Sequence, residues 1–177
     1  KFKKIDYIIS CVGKSNFSHL RGSKINEWEL AFNDNFFSNT NLVDNYSKIF
    51  NKNSKGTKII IICSIAGVKV IDAPITYSTA KAALIFYCRH KAKNLSNLGI
   101  NINTISPGNI LQDDNVWYNK IKKNKKKVLN YIKKNVPLNS FCKPEYIKEM
   151  CDYLLSSSGN YITGSNFILD GGQVLNE

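Results

Sequence analysis

Tyr77 and Lys81 lie four residues apart, so on a helix they stack on one face, and Leu84, Cys88, Ala92 and Leu95 continue that face as an apolar stripe. A lysine within such a stripe, beside a tyrosine, calls for a reason. An ammonium close to a phenol favours the phenolate and draws a pKa of about 10 toward neutrality, as a general acid/base requires. The same spacing also fits a lysine that snorkels from the helix edge past a core tyrosine. Ser64 follows the apolar run Thr57–Cys63 and precedes Tyr77 by thirteen residues, where its hydroxyl could meet a substrate oxygen in the same crevice. Asn35 sits seven residues after Trp28 and seven before Leu42, two helical turns each way, which puts an amide on the inward face of a helix. Buried amides are satisfied by hydrogen bonds, so for Asn35 alone a structural bond to a neighbouring strand explains the position equally well.

The elements that must position these residues are legible in the hydrophobic pattern. Asp6–Val12 and Thr57–Cys63 are β-branched and apolar with almost no alternation, as in strands of a parallel sheet covered on both faces. Ile100–Ile105 and Asn166–Leu169 read as two further strands. Helical periodicity runs over Asn26–Phe50 and Ile75–Leu98, and a third helix over Pro144–Leu155 has Pro144 in its first turn. Alternating strands and helices predict a doubly wound α/β domain of three layers, with ligands beyond the carboxyl ends of the strands. At those ends stand Cys11-Val-Gly13, Ser64-Ile-Ala-Gly67 and Ser106-Pro-Gly108, each with a glycine that permits close backbone approach. The three loops are expected to form one crevice.

Composition narrows the classes. The 177 residues, 43% hydrophobic, suit a single domain with a sizeable core, and no apolar run approaches the roughly 20 residues that span a bilayer. Five scattered cysteines without a C-x-x-C pair argue against a disulfide framework or a metal site and fit reduced thiols in a cytoplasmic protein. The net charge is +12, but 23 Lys, 23 Asn and 22 Ile are all encoded by A/T-rich codons, which explains part of it without a partner. Lys120, Lys122, Lys123, Lys125, Lys126 and Lys127 follow Trp117 and Tyr118 in the densest charge run. That run fits a solvated helix, and nucleic acid is not the expected partner.

With these residues on the page, the sequence resembles the short-chain dehydrogenase/reductase family over almost its whole length, from the strand at Ile5 to the end. The family's tetrad pattern falls on Asn35, Ser64, Tyr77 and Lys81. Tyr77-Ser-Thr-Ala-Lys-Ala-Ala83, Ser106-Pro-Gly108 and Tyr161-Ile-Thr-Gly-Ser-Asn-Phe-Ile-Leu-Asp-Gly-Gly172 are also typical of it, most like the 3-oxoacyl-acyl-carrier-protein reductase branch. The resemblance implies a Rossmann-like fold and hydride transfer between NAD or NADP and a ketone or secondary alcohol, small or carrier-linked. It makes Tyr77 the proton donor or acceptor, has Ser64 polarise the substrate oxygen, has Lys81 lower the Tyr77 pKa and bind the nicotinamide ribose, and gives Asn35 a relay water. It places Cys11, Gly13, Tyr77, Lys81, Pro107, Gly108 and Ile110 at the cofactor. Ile65, Trp117 and Tyr118 fall at the substrate, and 110–135 becomes a flap whose lysines could attract an anionic carrier, phosphate or sugar acid.

The resemblance also implies a homodimer or homotetramer through helices 26–50 and 75–98, whose Phe36, Phe37, Ile85, Phe86 and Tyr87 exceed what one sheet face covers. Two departures stand out. The family's Asn-Asn-Ala-Gly strand end reads Ser10-Cys-Val-Gly13, and no glycine-rich phosphate loop occurs in these residues. The expectation is therefore an N-terminally truncated domain, lacking its first βαβ portion, that alone gives no saturable NADH or NADPH signal. An oxidoreductase of surface-sugar or secondary metabolism, or a non-catalytic relative kept for binding or regulation, is the alternative reading.

Overall fold

Four consecutive isoleucines in one strand need apolar cover on both sides, and they receive it. In the computed structural model, which describes residues 5–17, 24–48 and 54–175, strand β2 (Lys58–Ile62) lies inside a parallel sheet with β1 (Tyr7–Ser10), β3 (Asn101–Pro107) and β4 (Asn166–Leu169), in the order β1-β2-β3-β4. Tyr7 is opposite Lys58, Lys58 opposite Asn101, and Thr104 opposite Asn166. The expected α/β sheet is present: β1 and β2 are three and two residues shorter than their apolar runs, β3 extends to Pro107, and β4 coincides with the expected strand.

Side chains of β2 alternate between two cores. Ile59, Ile61 and then Cys63 pack with Leu84, Ile85, Cys88, Ala92 and Leu95 of helix α3 (Ile75–Leu95) and with Val43 of α2 (Ser38–Ser47). Ile60 and Ile62 face Cys151, Leu154 and Ile147 of α5 (Pro144–Leu155) on the other side. This makes three layers, and burial of this kind contributes roughly 1.5–3 kcal/mol per large aliphatic side chain. Asn103, buried in β3, donates to Ile162 O and accepts from Ser165 N–H, tying the loop before β4 to the sheet.

The stretch read as one helix over Asn26–Phe50 is α1 (Ile25–Phe32), a π-helical turn (Asn33–Phe37) and α2; Ile49 and Phe50 lie outside the described residues. The wider turn spaces the inward residues Ala31, Asn35, Asn39 and Val43 four apart, so two amides face inward where one was expected. The lysine-rich run read as a solvated helix lies in helix α4 (Val116–Asn135), capped by the Asn115 side chain at Tyr118 N–H and kinked at Asn124, whose φ and ψ are −158° and 84°. Its period is hard to see in sequence because only Val128 and Ile132 are buried.

Candidate active site

Ser64 stands at the end of β2 with extended backbone, and its Oγ accepts the Ala66 N–H at 3.1 Å, capping a 3₁₀ turn at Ile65–Gly67. That turn rests directly on α3. A Cβ at Gly67 would lie 2.7 Å from the Lys81 carbonyl carbon, so only glycine lets the Ser64 loop approach this closely. The hydroxyl proton remains available, and Ser64 shares the crevice wall with Tyr77, which stands one turn before Lys81 on α3.

Lys81 is 3% exposed. Its Nζ lies 5.8 Å from the Tyr77 ring centroid and donates to Ile62 O at 3.3 Å. Gly13 closes the other side, where a Cβ would meet Lys81 Nζ at 2.9 Å and Asn35 Oδ1 at 2.7 Å. Asn35, fully buried, holds this strand end as a backbone would: Oδ1 accepts Lys14 N–H at 3.0 Å, and Nδ2 donates to Lys14 O at 2.9 Å and Ala31 O at 3.0 Å. Asn39 repeats the device one turn on, donating to Val12 O and Asn35 O and accepting from the Ser10 hydroxyl at 2.6 Å. Ser10 and Asn39 thus fix the turn in which Cys11 and Val12 stand.

Burial dominates the electrostatics of the site. Burial pushes the Tyr77 phenol above its ordinary pKa, and the Ser64 hydroxyl offsets only part of that. Burial likewise pulls Lys81 below the usual lysine value. Cys63, beside both, is pushed up to about 12 by burial and is a neutral thiol.

A crevice of about 710 Å³ opens at these strand ends, walled by Gly13, Ser64, Ile65, Tyr77, Pro107, Gly108, Ile110 and Trp117. Eight of the expected residues thus share one wall. Asn35 and Lys81 stand behind it, as their near-complete burial requires. Two of the expected residues lie outside this wall: Cys11 is exposed, and Tyr118 sits beneath Lys122 Nζ, 4.4 Å from the ring centroid. Sequence reasoning missed Asn39, Cys63 and Asn109; only Asn39, four residues from Asn35, carried a periodic signal. The small residues Gly13 and Gly108 and the apolar Ile110 and Pro107 suit the flat ring and ribose of a nicotinamide, with Lys81 as the buried donor.

A parallel sheet whose strand ends gather a hydroxyl, a phenol and an ammonium beside a glycine-lined crevice defines a Rossmann-like oxidoreductase class. Residues 1–173 match the family described as Enoyl-(Acyl carrier protein) reductase, and the chain belongs to the short-chain dehydrogenase/reductase family of NAD(P)-dependent oxidoreductases. It is 29% identical over 178 residues to a 3-oxoacyl-acyl-carrier-protein reductase of Synechocystis, covering 99% of this chain and 67% of that protein. It is 28% identical to an acetoacetyl-CoA reductase of Cupriavidus necator, covering 96% and 66%. A solved 4-hydroxyisoleucine dehydrogenase mutant complexed with NADH and succinate superposes with a TM-score of 0.87 at 26% identity, over 97% of this chain and 69% of that one. The chain spans about two thirds of the length of the curated relatives it matches.

Proposed function

We propose that the protein reduces a ketone, or oxidises the matching secondary alcohol, with Tyr77 as general acid/base. Ser64 and Tyr77 on one wall of the crevice, with Lys81 buried one helical turn behind Tyr77, carry this reading. Bound NAD(P)H supplies the hydride. In reduction, Tyr77 Oη gives its proton to the carbonyl oxygen as that oxygen gains charge, and Ser64 Oγ–H orients the same oxygen. Lys81 stabilises the phenolate left behind and binds the nicotinamide ribose. Asn35 holds the Gly13–Lys14 strand end against Lys81 and supports a relay water on the Lys81 side. Gly13, Pro107, Gly108 and Ile110 make the cofactor wall; Ile65 and Trp117 border the substrate.

Acetoacetyl-CoA and 3-oxoacyl groups on a carrier are the substrates to try first, given the relatives. Lys120 and Lys123 stand on the crevice wall with Asp114, placing cations where an anionic carrier or phosphate would enter. Cytoplasmic action fits five free thiols, and among the described residues no helix is long and apolar enough to cross a membrane. Self-association through helices 26–50 and 75–98 fits exposed Leu30 of α1, Phe37 of the π-helical turn and Phe86 of α3. Ile85 and Phe36 do not belong to that surface: Ile85 is buried, and Phe36 packs edge-on against Tyr87 at 6.0 Å. Tyr77→Phe in the complete protein is expected to remove most turnover of acetoacetyl-CoA while NADPH or NADH still binds; unchanged turnover overturns the reading.

A further inference from the structure

We propose that Gln173 is a positioning residue for the substrate wall, joining the crevice floor at Asn109 to the flap helix at Tyr131 and so fixing Trp117. This rests on the oxidoreductase reading of the crevice. Gln173 lies in the turn after β4, yet it is only 6% exposed, an unusual fate for a glutamine so close to a loop. Its Oε1 accepts from Asn109 Nδ2 at 2.8 Å, and its Nε2 donates to Tyr131 Oη at 3.4 Å. Asn109 is itself 8% exposed, so Gln173 links two polar side chains away from bulk water.

The turn that carries Gln173 is itself held. Asp170 accepts from Gly172 N–H at 2.9 Å and Val174 N–H at 2.7 Å, while Gly171 O accepts from Leu138 N–H. A Cβ at Gly108 would fall 2.9 Å from Asp170 Cα, so the floor and the turn are in direct backbone contact. At the other end, the Tyr131 ring packs on Trp117 with centroids 5.2 Å apart and an interplanar angle of 32°. Trp117 belongs to the crevice wall.

The flap helix needs such a tether. It buries only Val128 and Ile132, and the Asn124 kink separates Trp117 from Tyr131, so the backbone alone does not transmit the position of one to the other. The Trp117–Tyr131 stack bridges the kink, and Gln173 anchors that stack to the sheet. Through it the C-terminal turn sets the width of the substrate wall without touching the reacting atoms.

Full-length protein in which Trp28 and any tryptophan outside these 177 residues are replaced by Phe, leaving Trp117 as the reporter of α4, carries the test. Gln173→Ala should raise the acrylamide quenching of Trp117 and the amide exchange of residues 116–135. It should also raise KM for acetoacetyl-CoA about fivefold with kcat within about twofold, since only wall placement is lost. Gln173→Glu keeps an acceptor for Asn109 and for the Tyr131 hydroxyl and should return all three readouts toward wild type. Tyr131→Phe removes one oxygen and serves if Gln173→Ala does not fold; it should raise quenching and exchange in the same direction. Quenching and exchange unchanged in both Gln173→Ala and Tyr131→Phe, or Gln173→Glu behaving as Gln173→Ala, overturns the proposal. Absence of turnover in the unmutated protein counts against the oxidoreductase reading instead, and quenching then decides Gln173 separately.

Discussion

Gly13 leaves the space that Lys81 Nζ occupies: a Cβ there would stand 2.9 Å from the nitrogen and 2.7 Å from Asn35 Oδ1. Gly13→Ala must therefore displace the lysine or break the Asn35 pairing with Lys14. Overpacking of this kind costs about 1–3 kcal/mol, so the variant should unfold at lower urea and lose most activity. A variant with the stability and turnover of wild type would mean that Lys81 is free to take another course.

Tyr77 sets the pH dependence. Burial raises its pKa, so the protonated phenol, the form that donates in reduction, persists through neutral pH. The reductive kcat/KM should stay level there and fall only as pH climbs past that raised value, while the oxidative rate, which needs the phenolate, climbs over the same range. Ser64 is the part of the environment that lowers the Tyr77 value. Ser64→Ala should move the alkaline limb of residual reduction to higher pH; movement to lower pH contradicts that contribution of Ser64.

The sheet and the shared face of Tyr77 and Lys81 were readable because each depends on local period and on strand ends. Tyr77 and Lys81 need only helical spacing, and the isoleucines of β2 need only two apolar neighbours. The π-helical turn escaped notice because Asn33–Phe37 carries no residue type that announces a change of pitch. Gln173 and Asn109 were illegible for a different reason: 64 positions separate them, and their meaning arises only when the sheet brings two loops together.

Charge reversal should separate the two kinds of flap lysine. Lys120 and Lys123 stand on the crevice wall, whereas Lys122 lies over the Tyr118 ring outside it. Lys120→Glu with Lys123→Glu should raise KM for acetoacetyl-CoA about tenfold at low salt, with the difference shrinking as ionic strength rises. Lys122→Glu should leave it nearly unchanged. Equal effects at all three positions would indicate a long-range field rather than a subsite.

Lys58 gives a prediction about the fold alone. It is 6% exposed at the start of β2, and its ammonium donates to Leu155 O at 3.1 Å and also to Ser156 O, at the carboxyl end of α5. A cation there answers both the unpaired carbonyls and the negative end of the helix dipole. Met fills nearly the same volume without the charge, so Lys58→Met leaves two carbonyls without their donor and should lower stability by about 1–3 kcal/mol. The expected result is a lower urea midpoint with an unchanged slope, because the native surface is the same. A midpoint equal to or above that of the unmutated chain would show that desolvating the ammonium costs as much as its hydrogen bonds return, as happens for some buried charges.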